Sequence, residues 1–180
     1  MQFDQAPDGS RSPLPKPSVD TGAGLERILA LVQGVDSVWE TDLMQPMIDE
    51  ACSITGKSYR VGDYDDRDSF AMRVLAEHAR SGAMLINDGV FPSNEARGYV
   101  LRRIIRRAVQ QAQRIGLRDL HRLSGVVVDQ MGASYPELPD RTDEIERVLR
   151  LEEERFLETL ERGLKLFEDL ADLESISGEQ

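Results

Sequence analysis

The fold is decided by residues 92–115, which read PSNEARGYVLRRIIRRAVQQAQRI. Apolar side chains recur there at intervals of one and three, the spacing of one face of an α-helix. They are Val100, Leu101, Ile104, Ile105, Ala108, Val109, Ala112 and Ile115. The complementary face carries four arginines: Arg102, Arg103, Arg106 and Arg107. The stretch therefore predicts a helix with one side in a core and the other side lined by guanidinium groups.

Apolar residues at similar intervals predict more helices in the flanking sequence. We expect them over 25–33 before Gly34, after a cap at Thr41 or Asp42 up to Gly56, from Phe70 to about 86 with an interruption at Gly82, over about 120–131, and over about 142–173. The apolar side of the last helix would consist of Ile145, Val148, Leu149, Phe156, Leu160, Leu164, Phe167 and Leu170. Prolines exclude a helix from the first eighteen residues, which predict turns leading to a short strand near 17–20.

Composition limits the function classes. The chain has 180 residues and a net charge of −11, which taken whole argues against a nucleic-acid binder. The charge is segregated, however, because 95–122 holds eight arginines and two acids, whereas 137–180 holds fifteen acids and six basic residues. One cysteine, Cys52, cannot close an internal disulfide, and no apolar run reaches the roughly 20 residues that span a bilayer. We expect a cytoplasmic protein with no membrane partner and no structural metal site.

Two segments could carry chemistry. In 20–27, DTGAGLER, Gly22 and Gly24 let the backbone approach a ligand at the start of a helix, and Arg27 adds a charged donor. The alternative interpretation of the same residues is an ordinary glycine turn before a helix. The arginine face of 95–115 suits a phosphate backbone, or it pairs with the acidic C-terminal segment. Asn94 at the helix entry either reads a base edge or caps the helix.

Taken together, the two segments resemble a known family. Residues 13–27, PLPKPSVDTGAGLER, are similar to the third signature motif of class II aminoacyl-tRNA synthetases in its alanyl form. Residues 88–108, DGVFPSNEARGYVLRRIIRRA, resemble the helical tRNA-recognition region of the alanyl-tRNA synthetase family. Their order and separation also fit. One departure is Ala23, where the family more often has methionine.

The resemblance implies roles for individual residues. Arg27 would contact ATP, Gly22 and Gly24 would line the adenylate pocket, and Asp20 would hold the amino group of alanine, which makes Asp20 and Arg27 the candidate catalytic residues. Asn94 would help to recognise a G·U wobble pair in the acceptor stem of tRNA(Ala). The candidates for contacts with the nearby phosphates are Arg97, Arg102, Arg103, Arg106 and Arg107.

The resemblance also implies an architecture. It is mainly α: a short N-terminal piece of the class II antiparallel sheet, formed by the motif strand and helix, is followed by a helical tRNA-recognition domain. We expect the end of a catalytic domain at 1–38, the tRNA-recognition domain at 39–140, and an acidic amphipathic helix leading towards an editing domain at 141–180. The implied reaction is ATP-dependent activation of alanine with Mg²⁺ and its transfer to tRNA(Ala).

Other signature motifs of the family, and the zinc ligands of its editing domain, are expected outside this sequence. The chain is therefore expected to be a central fragment that is inactive as a ligase by itself. A non-catalytic RNA-binding module and an unrelated helical scaffold are the competing interpretations.

Overall fold

The computed structural model describes residues 2–16 and 22–171. Two strands, β1 (Phe3–Gln5) and β2 (Arg11–Pro13), are followed by six helices. The helices are α1 (Leu25–Gln33), α2 (Gln45–Thr55), α3 (Arg67–Asn87), α4 (Ala96–Ile115), α5 (Arg122–Met131) and α6 (Thr142–Ala171). Short 3-10 turns lie at Val38–Glu40 and Pro139–Arg141. The predicted fold class, mainly α after a small antiparallel sheet, is confirmed.

The strands form a hairpin that the sequence analysis missed. They pair antiparallel with Phe3 opposite Pro13 and Gln5 opposite Arg11, and Gly9 takes a φ of 84° in the turn. The high proline content of this segment obscured the strand pattern. Pro13 is tolerated because it lies at the end of the ladder, where its missing N–H costs little. The strand predicted near 17–20 falls outside the described residues.

Helix α1 forms where predicted and ends at Gly34, whose φ of 68° lets its N–H reach the carbonyls of Ala30 and Leu31. The apolar residues that predict this helix are largely exposed, however. Leu25 is 67% exposed, and in this helix only Ala30 is buried. The helix is instead tied to α3 by an ion pair of 2.6 Å between Glu26 and Arg80.

Helix α2 begins later than predicted. Its N-terminus has no side-chain cap, and the carbonyl of Thr41 accepts the N–H groups of Met44 and Gln45 at 3.0 and 2.9 Å in a preceding turn. The cap prediction at Thr41 or Asp42 is therefore wrong. The end at Gly56 is confirmed, with a φ of 68°.

Helix α3 lies at the centre and packs against α2, α4, α5 and α6. The Asp66 carboxylate caps it by accepting the N–H of Ser69 at 2.8 Å. The predicted interruption at Gly82 is wrong, because the helix continues through this buried position, where a Cβ would lie 3.6 Å from the Leu149 side chain of α6. The predicted start at Phe70 is three residues late, because the helix begins at Arg67, and the Phe70 side chain is exposed.

Helices α2 to α6 form one core, in which most of the predicted apolar positions are buried. In α4 the buried apolar side chains are Leu101, Ile105, Ala108, Val109, Ala112 and Ile115, whereas Val100 is 54% exposed. In α6 they are Ile145, Val148 and Leu149. Farther along the predicted apolar side of α6, Leu164 and Phe167 are exposed, because nothing in the described chain covers them.

Candidate nucleic-acid interface

The loop between α3 and α4 is held against the first turn of α4. Ser93 donates its N–H to the Gly98 carbonyl at 3.1 Å, and its hydroxyl donates to the Glu95 carbonyl at 2.9 Å. Gly98 is buried, and a Cβ there would overlap the Ser93 hydroxyl and the carbonyl oxygen of Phe91. Only glycine therefore lets the loop lie so close to α4. The result is a fixed position for Asn94, between Ser93 and the helix.

Asn94 does not cap the helix. Glu95 occupies the N-cap position of α4, and no side chain of the described residues bonds to the free N–H groups of the first turn. The carbonyl oxygen of the Asn94 side chain instead accepts a hydrogen bond from Nη1 of Arg102. The capping alternative is therefore wrong, and Asn94 lies exposed at the surface beside the arginine face.

The four predicted arginines form two rows with different environments, because adjacent residues of a helix point about 100° apart. The inner row, Arg102 and Arg106, faces α6. The Nε of Arg106 lies 2.8 Å from Oε1 of Glu152, and the Nε of Arg102 lies 3.3 Å from the same oxygen. Arg102 and Arg106 therefore pair with the acidic helix α6, which is one of the two alternatives for the arginine face.

The outer row, Arg103 and Arg107, is exposed to solvent, as is Arg97 in the first turn of the same helix. Arg103 lies over the ring of Tyr99 at 5.8 Å, a cation–π contact that leaves the guanidinium accessible. Within residues 2–16 and 22–171, none of these three arginines forms an ion pair with an acidic side chain. The outer row therefore keeps its charge available for a ligand.

The glycine-rich segment is described only from residue 22 onward, so Asp20 lies outside the described residues. Gly24 occupies the N-cap position of α1 in an extended conformation, and its carbonyl accepts the N–H groups of Arg27 and Ile28 at 3.1 Å each. Gly22, Gly24 and Arg27 are all exposed. The structure thus brings Gly24 and Arg27 together at the N-terminus of α1, where an anion would find unpaired N–H groups and a guanidinium.

The sequence analysis missed two buried carboxylates of α6, Glu152 and Glu153, that lie behind this surface. Glu152 is 2% exposed and pairs with residues almost fifty positions away, a distance at which local spacing carries no signal. Its neighbour Glu153 accepts the N–H of Leu120 at 3.1 Å. Burial raises the pKa of Glu153 to about 7, because the carboxylate loses hydration and the negative charges of Asp119 and Glu154 lie nearby.

The described residues contain no group of three His, Cys, Asp or Glu side chains placed to hold a metal ion. None of the helices in the described ranges has the length and the apolar content that crossing a membrane requires.

The comparisons with known proteins agree on one family. The model of the tRNA synthetases class II (A) matches residues 1–180. The chain is 51% identical over 180 residues to an alanine–tRNA ligase of Nitratidesulfovibrio vulgaris, and 51% identical over 176 residues to one of Acidithiobacillus ferridurans. These matches cover 99% and 96% of the chain but only 20% of each relative, so the chain spans about one fifth of their length. The resemblance to alanyl-tRNA synthetases is confirmed, and the chain belongs to the class II tRNA synthetases (A).

Proposed function

We propose that this chain is a segment of an alanine–tRNA ligase, which uses ATP to activate alanine and transfers it to tRNA(Ala). The family membership and the similarity to alanine–tRNA ligases along almost the whole chain support this reaction. Within it, the segment's main task is to bind the acceptor stem of the tRNA.

The outer arginine row carries this part of the proposal. Arg97, Arg103 and Arg107 are exposed on one helix, and no described carboxylate neutralises them. Successive turns of a helix are about 5.4 Å apart, close to the separation of phosphates along a nucleic-acid strand. Arg102 and Arg106 contribute less to phosphate binding, because Glu152 already offsets part of their charge.

Asn94 is the residue proposed to read the wobble pair. It lies exposed at the end of the arginine face, and close packing around Gly98 fixes its loop. Phosphate contacts position a protein on a duplex without reporting its sequence, so recognition of a G·U pair needs a side chain that reaches a base edge. A carboxamide is suited to that contact.

The start of α1 is proposed to contribute to the ATP and alanine site. Gly22 and Gly24 would line the adenylate, Arg27 would contact phosphate, and Asp20 would hold the amino group of alanine. The exposed N–H groups of the first turn and the Arg27 guanidinium fit a polyphosphate. Mg²⁺ would be bound by the phosphates of ATP, and it would help to neutralise their charge.

The proposed domains follow the sequence analysis: 1–38 ends the catalytic domain, 39–140 binds tRNA, and 141–180 leads towards an editing domain in a cytoplasmic enzyme. We also propose that the 180-residue chain does not activate alanine by itself. Gly22, Gly24 and Arg27 are exposed, so they do not enclose an adenylate. Pyrophosphate exchange dependent on alanine and ATP should therefore be undetectable with the purified chain, and its detection would contradict this point.

The proposed RNA contact is tested by fluorescence anisotropy with a hairpin RNA that carries the acceptor stem of tRNA(Ala), over a series of salt concentrations. Replacing Arg103 and Arg107 with alanine should weaken binding and reduce the slope of log K against log salt by about 1 per arginine. The matched control replaces Arg147 and Arg150, two exposed arginines of α6. If the two double variants lost affinity equally, the arginine row of α4 would not be the RNA surface.

A further inference from the structure

We infer that Glu152 is a positioning residue for base recognition: it fixes Arg102, and Arg102 fixes the side chain of Asn94. The inference rests on the proposed function, because it assumes that Asn94 contacts the wobble pair. It assigns a role in recognition to a buried side chain of α6 that cannot touch the RNA itself.

The contacts run without a gap from Glu152 to Asn94. Glu152 is 2% exposed, so its carboxylate has few alternative positions. Its Oε1 forms an ion pair with Nε of Arg102 at 3.3 Å, and this buried Nε makes no hydrogen bond among the described residues. The other end of that guanidinium donates from Nη1 to the carbonyl oxygen of Asn94 and from Nη2 to the carbonyl of Pro92 at 3.4 Å. One planar group therefore contacts the acidic helix and both ends of the short stretch that carries Asn94.

This contact also sets the polarity of Asn94. A guanidinium has five N–H donors and no acceptor, so the atom of the carboxamide that faces Arg102 must be the oxygen. The NH₂ group, which has no acceptor among the described residues, is left for a ligand. Asn94 would then donate a hydrogen bond, and its ligand would be an acceptor atom on the edge of the base pair.

A purely structural role for Glu152 makes a different prediction. Arg106 already joins α4 to α6 through the 2.8 Å contact with Glu152, and its guanidinium stacks on Phe156 at 5.3 Å. If Glu152 served only to hold the helices together, its loss would lower stability and weaken binding to every RNA equally. If it positions Asn94, its loss would reduce the preference for G·U.

The experiment measures the affinity of the 180-residue chain for two acceptor-stem hairpins that differ only in a G·U or G·C pair. A good side-chain contact to a base gives about 5- to 150-fold discrimination, so Glu152→Gln should reduce the G·U preference about 5-fold or more. The control is Glu153→Gln, which alters the adjacent buried glutamate of the same helix, whose partner is the N–H of Leu120. The control should keep the wild-type preference.

Failure of this inference is distinguishable from failure of the proposed function. If the wild-type chain did not prefer G·U, the proposed function would be at fault, and with it this inference. A wild-type preference that Glu152→Gln retained would overturn the role of Glu152 alone.

A second variant covers the case in which Glu152→Gln does not fold. Arg102→Lys leaves Glu152 paired with Arg106, and a lysine ammonium cannot span Glu152 and Asn94 as the guanidinium does. It should also reduce the G·U preference about 5-fold or more. An unchanged preference in Arg102→Lys would overturn the inference.

Discussion

Replacing Gly98 with alanine tests how the Asn94 loop is held. The added Cβ would overlap the Ser93 hydroxyl and the Phe91 carbonyl oxygen, and it would lie 2.9 Å from the Cβ of Ser93. The hydroxyl could rotate away, but the carbonyl belongs to the backbone and moves only with the loop. The substitution therefore requires the loop that carries Asn94 to shift away from α4.

The size of the effect follows from two opposing terms. Alanine favours a helix over glycine by about 0.5 to 1 kcal/mol, and overpacking a closely packed site costs about 1 to 3 kcal/mol. Because the overlap involves backbone, we expect the upper part of the second range and a net loss of about 1 to 2 kcal/mol. For a chain of this length, that loss lowers the Tm by about 2 to 8 °C.

The assay is thermal unfolding followed by circular dichroism, with Gly82→Ala as the matched control. Gly82 is also a buried helical glycine, but a Cβ there would meet only Leu149, at an ordinary distance of 3.6 Å. Gly82→Ala should therefore stabilise the fold by about 0.5 to 1 kcal/mol. A Gly98→Ala variant at least as stable as wild type would refute the close-packing argument.

Three more predictions follow from single residues. Burial raises the pKa of Glu153 from its usual 4.5 to about 7, so the native state binds the proton more tightly than the unfolded state does. The free energy of unfolding, measured in urea, should therefore fall on the order of 2 kcal/mol as the pH rises through that range, and Glu153→Gln should remove most of this dependence. In the intact ligase, Arg27→Ala should weaken ATP use about 10-fold or more by loss of a charge-assisted contact, with tRNA affinity nearly unchanged, and equal losses of both would contradict its assignment. Asn94→Asp keeps the acceptor for Arg102 but removes the NH₂ donor, so hairpin binding should lose its G·U preference, and a retained preference would exclude donation by Asn94.

The sequence predicted the helices well because their signals are local. The spacing of apolar residues in 92–115 located α4, and the glycines at 34 and 56 ended α1 and α2 as expected. The errors concern surfaces. Periodicity identifies an apolar face but not what covers it, so it did not show that Leu25 in α1 and Phe167 in α6 are exposed.

The candidate site was predictable in composition but not in detail. The arginines and Asn94 were identified from their spacing and from the resemblance. Their division into an inner and an outer row depends on Glu152, which comes close to them only when α6 folds back on α4. A glycine within the helix at position 98 was the one local sign of the close contact with the loop.

The most direct test of the central claim is the ratio of affinities of the wild-type chain for acceptor-stem hairpins with a G·U or a G·C pair at one position. If α4 and the Asn94 loop bind the acceptor stem and read this pair, the chain should bind the G·U hairpin about 5-fold or more tightly, and Asn94→Ala should bring the ratio close to one. Equal affinity of the wild-type chain for the two hairpins, or a preference that survives in Asn94→Ala, would contradict the claim.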